Sequence, residues 1–336
     1  MEIESIIVSK SEELIGKALS YGASDIHLVP SSENYAILFR KYNKLNHFGE
    51  FPFDLGLRII TYYKFLSALD ISEKRKPQSG SFQKELAQSV YAFRISTLPS
   101  VTGKESLVIR ILKQDATLPL SSLCYDPTVA QKIEQLIHHQ QGLLLFSGAT
   151  GSGKTTSLYS LIHYCCMELN RHVISLEDPV EKSHEQVLQI QVNERAGVTY
   201  SEGLRAILRH SPDVIMIGEI RDRETAQIAV QAALSGHLVL STIHAKDTVN
   251  SLYRLMDLGI SIEDLRQSVI GVIAQSLIKL EDSDERKAIF EILSDVHLYE
   301  AIKAVIRGEF YALNFDRTLE SQLYKLEGFH YARSIK

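Results

Sequence analysis

The 336-residue sequence predicts an α/β protein in which a domain built on a largely parallel sheet follows a smaller α/β domain. Two observations carry this prediction. From Asp126 onward, short apolar runs alternate with helical patterns, which indicates a largely parallel sheet covered by helices on both faces. Within that region, residues 148–155 read Gly-Ala-Thr-Gly-Ser-Gly-Lys-Thr and match the pattern G-x-x-x-x-G-K-[ST], which is typical of a phosphate-binding loop.

Length, charge and cysteine content narrow the class of protein. A chain of 336 residues suits two domains. The net charge of −5 argues against a strongly basic surface, so we expect no direct nucleic-acid binding. The acidic start Met1–Glu4 and the lack of a long apolar stretch predict a cytoplasmic protein. Three cysteines, two of them adjacent, cannot supply a disulfide framework or a four-cysteine zinc site, so we expect reduced thiols and no zinc.

The first 113 residues read as an α/β domain of short strands and modest helices. Ser11–Tyr21 reads as a helix that ends near Gly22, and three apolar segments read as strands: Tyr35–Arg40, Val90–Ile95 and Leu107–Leu112. Residues 114–124 lose this periodicity and contain Pro119, which is typical of a linker. The predicted domains are therefore residues 1–113 and residues 125–336.

The second domain follows an alternating order of elements. In chain order these are a helix ending at His139, the strand Gly142–Phe146, a helix through Met167, the strand His172–Leu176, a helix from Ser201, the strand Val214–Ile217, the helix Arg223–Leu234 and the strand His237–Ser241. The final hundred or so residues read as helical, with Glu281–Lys287 as a charged, solvated interruption. Because ligands of such sheets collect beyond the carboxyl ends of the strands, the segments after each strand are the candidate site.

The phosphate loop, residues 148–155, follows the first strand of this domain directly. Glycines let the backbone curl so that several N–H groups point at a polyphosphate, and the positive end of the next helix favours the same anion. Lys154 is predicted to reach the β and γ phosphates, and the Thr155 hydroxyl to meet magnesium. A fortuitous Gly/Ser turn is disfavoured because a strand and a helix flank the loop. The predicted nucleotide-binding residues are Gly148, Ala149, Thr150, Gly151, Ser152, Gly153, Lys154, Thr155 and Thr156.

Three further segments offer groups for phosphoryl transfer, which needs a positioned nucleophile, a divalent cation and positive charge near the γ phosphate. Glu177 opens an acidic box, residues 177–181, directly after a strand; the alternative is a solvated acidic turn. Glu219 follows the strand Val214–Ile217, as a magnesium-ordering acid would. His244 follows the next strand, where a hydrogen-bonded structural histidine is the alternative.

Taken together, these boxes resemble those of the traffic ATPases that power type II secretion, type IV pili and competence pseudopili. The matching segments are the phosphate loop, the acidic box, Asp213–Asp222 and His237–His244. The resemblance extends into the first domain through Gly22–His27, Pro77–Gly80, Arg94–Pro99 and Arg110. It therefore spans nearly the whole chain and is far more specific than any single box.

The resemblance implies a homo-hexamer of RecA-like ATPase domains, each with a smaller PAS-like amino-terminal domain, that uses ATP and magnesium. It implies that Arg94 and Arg110 close over the phosphates of ATP held between the two domains, with Arg195 in a similar role. Their even separation places Arg94 and Arg110 on one face of the sheet if the two strands keep their expected register. Glu219 would hold magnesium with Thr155, Glu177 or Glu219 would orient the attacking water, and His244 would sense the γ phosphate. The implied partner is a polytopic inner-membrane platform protein, which would place the motor at the inner face of the membrane.

Several departures from the family pattern indicate which branch of the family the chain resembles most. No cysteine follows Cys166, so the four-cysteine zinc module of many secretion and pilus-assembly members is missing. The sequence also lacks their long amino-terminal domain, and Lys104 interrupts the glycine-glutamate step before Arg110. The chain is most similar to the competence pseudopilus assembly ATPase of Gram-positive bacteria. The alternatives are a pilus retraction or type II secretion ATPase, a RecA-like DNA-dependent ATPase, and a noncatalytic scaffold.

Overall fold

The computed structural model describes residues 2–42, 44–86, 89–114, 117–280, 285–309, 311–314 and 317–324. The chain separates into two compact units, Met1–Ala116 and Thr117–Lys336. Both units combine helices with a sheet, as the sequence predicts. None of the helices in the described ranges has the length and apolar character that a bilayer crossing requires.

The amino-terminal unit is an antiparallel sheet with two helices. Its elements are α1 (Glu2–Tyr21), β1 (Asp25–Pro30), β2 (Asn34–Lys41), β3 (Lys44–Pro52), α2 (Phe53–Leu66), β4 (Gln78–Leu86), β5 (Ser89–Pro99) and β6 (Glu105–Gln114). The strands lie in the order β3-β2-β1-β6-β5-β4. The predicted helix and strands are all present, although α1 begins well before Ser11.

Alternation along the strands gives this sheet two different faces. Ile26 and Leu28 of β1 are fully buried in one apolar cluster with Leu14 of α1 and Ile59 of α2. Because successive strand residues point to opposite faces, Asp25 lies on the face away from that core. This second face carries the arginines that the sequence singles out.

The carboxy-terminal unit is built on a mostly parallel sheet. Its elements are α3 (Leu120–Leu123), α4 (Pro127–Leu136), β7 (Gly142–Ser147), α5 (Lys154–Met167), β8 (Val173–Glu177), β9 (Leu188–Gln191), α6 (Tyr200–Ile207), β10 (Val214–Ile217), α7 (Arg223–Leu234), β11 (Leu238–Ile243), α8 (Thr248–Asp257), α9 (Ile262–Ser268), β12 (Val269–Lys279), β13 (Arg286–Ser294) and α10 (Asp295–Arg307). The strands lie in the order β13-β12-β7-β11-β10-β8-β9.

Burial on both faces explains why the central strands read as continuous apolar runs. Every residue of β7, β10 and β11 is buried, with one apolar cluster on each side of the sheet. Each fully buried Leu, Ile or Val side chain contributes about 1.5–3 kcal/mol relative to an exposed one. Because β7, β11, β10 and β8 are parallel, the segments that follow them meet at one edge of the sheet.

Two predictions about local structure need correction. The carboxy-terminal region is not helical throughout, because residues 269–279 and 286–294 form the antiparallel pair β12 and β13. Most of β12 is buried on both faces, and an apolar run buried in this way has no periodicity that separates a strand from a buried helix. Within the predicted linker, Leu120–Leu123 forms α3, and Leu120 is buried in the core of the second unit. Of the predicted charged loop, residues 281–284 lie outside the described residues.

Candidate nucleotide-binding site

The phosphate loop connects β7 to α5 and depends on three glycines with positive φ. Gly148, Gly151 and Gly153 have φ values of 137°, 80° and 86°. A Cβ at Gly148 would lie only 2.5 Å from the backbone oxygen of Gln275, so the wall of the loop has room for glycine alone. The Gln275 amide also donates to the carbonyl of Ser152 at 2.8 Å, which ties the loop to β12. The backbone therefore has the curled form that cradles phosphate groups.

Lys154 lies at the first turn of α5 and folds back over the loop. Its Nζ donates to the carbonyl oxygens of Gly148 at 2.8 Å and Ala149 at 2.9 Å. Burial lowers the pKa of Lys154, and the negative charge of Glu219 opposes that shift. The ammonium group is thus held inside the cradle at the amino terminus of a helix, where an anion is favoured. Of the other predicted contacts in this turn, Thr155 is half-buried and Thr156 exposed.

Glu219 lies just beyond β10, beside an arginine and a histidine. Its carboxylate pairs with Arg221, and its Oε2 lies 3.4 Å from Nε2 of His244. Oε2 is buried and accepts no hydrogen bond within the described part of the chain. An orphaned carboxylate oxygen beside the phosphate-loop lysine fits a hydrated divalent cation, because hard cations prefer oxygen ligands. The structure thus brings Lys154, Glu219 and His244 into one neighbourhood.

The backbone before Glu219 is fixed by its neighbours. The N–H of Gly218 donates to the carbonyl of Leu176 at 2.9 Å, and the Thr242 hydroxyl donates to the Gly218 carbonyl at 2.8 Å. Asp222, the last acid of the same segment, caps α7 by accepting from the N–H of Thr225 at 2.9 Å. The strand-end acid is therefore Glu219, while Asp222 stabilises a helix.

Glu177 ends β8 in a different environment. It is 2% exposed, and its two carboxylate oxygens accept from the Tyr159 hydroxyl at 2.6 Å, the Ser175 hydroxyl at 2.7 Å and the Gln189 amide at 3.3 Å. Burial raises the pKa of Glu177, and these donors oppose the shift. The backbone N–H of Glu181 is a further donor, so the hydrogen bonds of Glu177 come from α5, β8, β9 and the acidic box itself.

The two predicted arginines of the amino-terminal unit face each other across neighbouring strands. Arg94 on β5 lies directly opposite Arg110 on β6, so their side chains leave the same face of the sheet. Lys104 does not disturb this register. Arg110 Nε donates to Asp25 at 2.8 Å, and Arg40 Nε lies 3.8 Å from the other Asp25 oxygen. Like charges directly opposite each other repel. The buried Asp25 carboxylate offsets this repulsion because it pairs with Arg110 and lies close to Arg40.

Arg195 falls in the short 3-10 turn Glu194–Ala196, and its side chain lies outside the described residues. The three cysteines are free thiols, and burial raises the pKa of Cys124 and of Cys165 to about 12. Among the described residues, no cluster of three or more His, Cys, Asp or Glu side chains is arranged to hold a metal ion.

Sequence reasoning missed several residues that shape these groups. Asp25 belongs to the matched segment Gly22–His27 but carried no predicted role, because Arg40 and Arg110 become its neighbours only through strand pairing. Gln275 was hidden in a run read as helical. Tyr159 and Gln189 gave no signal, since their roles depend on which strands become neighbours.

A glycine-lined loop between a buried strand and a helix, with an interior lysine and acids at the ends of neighbouring parallel strands, defines a phosphate-loop nucleoside triphosphatase of RecA-like fold. The family model described as type II/IV secretion system protein matches residues 2–311. The chain belongs to this family and is an ATPase.

Individual relatives agree with this assignment. The chain is 47% identical over 270 residues to the competence protein ComGA of Bacillus subtilis, covering 80% of this chain and 76% of that protein. It is 41% identical to ComGA of Halalkalibacterium halodurans, covering 89% and 90%. Its structure is similar to that of the pilus retraction motor PilT with bound ADP, with a TM-score of 0.74, 27% identity and coverage of 94% and 92%. The predicted fold class and the predicted family are thereby confirmed.

Proposed function

We propose that this protein is a hexameric, ATP-hydrolysing motor at the cytoplasmic face of the cell membrane that drives assembly of a competence pseudopilus for DNA uptake. The observation that carries the proposal is the position of Lys154 inside a glycine cradle beside Glu219. Similarity to two ComGA proteins over most of the chain favours the competence pathway. The membrane partner would be a polytopic platform protein of the pseudopilus machine.

Lys154, Thr155 and Glu219 would handle the triphosphate and its cation. Lys154 would exchange its two loop carbonyls for β and γ phosphate oxygens, which are stronger acceptors because they are charged. Thr155 and Glu219 would hold magnesium, directly or through water. When bound, magnesium neutralises charge that develops on the transferred phosphoryl group.

Glu177 would orient the attacking water, with Glu219 as the other candidate. His244, whose Nε2 lies 3.4 Å from Glu219 Oε2, would sense the γ phosphate. Arg94 and Arg110, whose side chains share one face of their sheet, would supply positive charge to the phosphates, with Arg195 in a similar role. The γ phosphate would bind the conformations of the protein with different affinities. Its loss would therefore shift the equilibrium between those conformations by that difference in binding free energy.

Steady-state ATP hydrolysis by purified variants tests the site. Lys154→Ala is expected to abolish turnover, because it removes the charge that meets the β and γ phosphates, and Arg94→Ala to lower it. Lys303→Ala is the matched control, since Lys303 is half-buried on α10, away from the site, and pairs with Glu300 at 3.5 Å. Near-normal hydrolysis by Lys154→Ala would reject the site assignment.

Two carboxylate variants separate the roles of the acids. Glu177→Gln should keep ATP affinity and lose turnover by about 10²–10⁴-fold, the contribution of a positioned base. Glu219→Gln should instead raise the magnesium concentration needed for half-maximal activity. If the two outcomes are exchanged, Glu219 orients the water.

Genetic and binding experiments test the pathway. Deleting the gene should abolish filaments, whereas filaments that accumulate would favour a retraction motor like PilT. Molecular mass with and without a nonhydrolysable ATP analogue checks the hexamer, and membrane-protein capture identifies the platform. Salt-sensitive DNA binding that stimulates hydrolysis would favour a DNA-dependent ATPase instead.

A further inference from the structure

One face of α5 forms hydrogen bonds with the end of β8 and the segment that follows it. Tyr159, His163 and Cys166 are spaced four and three residues apart, which places them on the same side of the helix. The Tyr159 hydroxyl donates to Glu177 Oε2 at 2.6 Å and accepts from the backbone N–H of Lys182 at 3.2 Å. The helix that begins with the phosphate-loop lysine is thus bonded to the acidic box.

The same helix face holds the far end of that segment. His163 Nδ1 lies 3.0 Å from His184 Nε2, so the two rings share a hydrogen bond. The Cys166 thiol lies 3.7 Å from the carbonyl oxygen of Gln186. Contacts at both ends mean that residues 177–186 move with α5 unless these bonds break.

Gln189 on β9 joins the same network from the opposite side. Its Oε1 accepts from the N–H of His184 at 2.8 Å, and its Nε2 donates to the Lys182 carbonyl at 2.8 Å. The amide has a second hydrogen, which Tyr159 Oη and Glu177 Oε1 share at 3.3 Å each. One side chain therefore braces both the loop backbone and the carboxylate.

We propose that Tyr159 and Gln189 are positioning residues that hold the Glu177 carboxylate ionised and oriented, and that they couple Glu177 to the phosphate-loop helix. The inference rests on the proposed function, in which Glu177 orients the attacking water. At 2% exposure Glu177 has almost no water of its own, so protein donors replace its hydration. Among the three side-chain donors Tyr159, Ser175 and Gln189, Tyr159 gives the shortest hydrogen bond, at 2.6 Å.

The groups that titrate around Glu177 allow a clean test. Burial raises the pKa of Tyr159 and of Tyr200, so both phenols stay neutral over the working pH range. The backbone N–H of Glu181, on the same loop, also donates to Glu177, and burial lowers the pKa of His184. A Tyr159→Phe variant leaves Glu181 and both histidines in place, so a change in the acid limb of the pH–rate profile reports on Glu177.

The experiment compares kcat across pH for the parent, Tyr159→Phe and Tyr164→Phe. Tyr164 lies on the same helix and bonds to His138 at 3.3 Å, so its variant loses the same atom away from Glu177. Loss of a hydrogen bond to a charged group should move the acid limb of Tyr159→Phe upward by ~1–2 pH units, with kcat near that of the parent at high pH. Gln189→Met should move it in the same direction by less.

An unshifted acid limb in Tyr159→Phe, or a fall in kcat that is equal at all pH values, would overturn the inference. A second measurement needs no turnover: the thermal stability of the nucleotide-free protein across pH. In both proteins the loss of stability as Glu177 ionises should begin at the ordinary glutamate value, but in Tyr159→Phe it should continue to higher pH and be larger in total. An unchanged curve contradicts the inference. If Lys154→Ala hydrolyses ATP as fast as the parent, the proposed function fails. The thermal curves of the nucleotide-free proteins would still decide the roles of Tyr159 and Gln189.

Discussion

Two glycines of the phosphate loop make an informative pair of perturbations. Gly148 and Gly151 both have positive φ, 137° and 80°, so alanine is strained at either position. Besides this difference in φ, they differ in the space available to a new methyl group. At Gly148 the Cβ would lie 2.5 Å from the Gln275 backbone oxygen and 2.9 Å from the Ser152 hydroxyl, whereas at Gly151 nothing lies within 4 Å.

The contacts set the expected cost of each substitution. Gly151→Ala should lower the free energy of unfolding by about 1–2 kcal/mol, the cost of left-handed backbone for a residue with a Cβ. Gly148→Ala adds about 1–3 kcal/mol, because a backbone oxygen cannot rotate away and β12 or the loop must shift. For a unit of this size, a difference of about 2 kcal/mol corresponds to ~4–8 °C in melting temperature.

Scanning calorimetry of the nucleotide-free proteins measures this difference in stability. Because no nucleotide is present, any effect of the added methyl groups on nucleotide binding does not enter the result. We expect the transition of the carboxy-terminal unit to fall further for Gly148→Ala than for Gly151→Ala. Equal melting temperatures would refute the argument that contact with β12, rather than backbone strain alone, makes glycine necessary at position 148.

Two further predictions concern buried carboxylates. Asp25→Asn should destabilise the protein by about 1–3 kcal/mol, and the value should lie at the low end of that range because Arg110 is exposed. A double-mutant cycle with Arg110→Gln should give a coupling free energy above about 0.5 kcal/mol. Additive effects in urea unfolding would contradict that pairing. Burial raises the pKa of Glu177, so the folded protein loses stability as pH rises from the ordinary glutamate value through the raised one. Glu177→Gln should flatten melting temperature against pH over that window, and a curve parallel to the parent's would count against it.

Much of the second unit could be predicted because its signals are local. The strand Val214–Ile217 and the helix Arg223–Leu234 have the predicted bounds, and β7 extends the predicted strand by one residue. Central parallel strands are short and apolar throughout, and glycines mark the loop that follows β7. The shared face of Arg94 and Arg110 also followed from strand alternation, once their register was known.

Other features depended on which distant segments became neighbours. The sequence of β12 and β13 was read as helical. A strand that is buried on both faces, as most of β12 is, lacks the alternation of apolar and polar residues that identifies a strand. The pairing of Asp25 with Arg110 requires β1 beside β6, an order that sequence proximity does not suggest.

The sequence by itself determined the nucleotide-binding chemistry, because a phosphate loop uses consecutive residues whose backbone and charge act together. It also determined the family, because several such segments occur in order along the chain. Only the tertiary structure decided how each acid is held: Glu219 near Lys154 and His244, and Glu177 among Tyr159, Ser175 and Gln189. The physical reason is that hydrogen bonding and burial of a carboxylate depend on side chains from neighbouring strands and helices, and the packing of the sheet selects those neighbours.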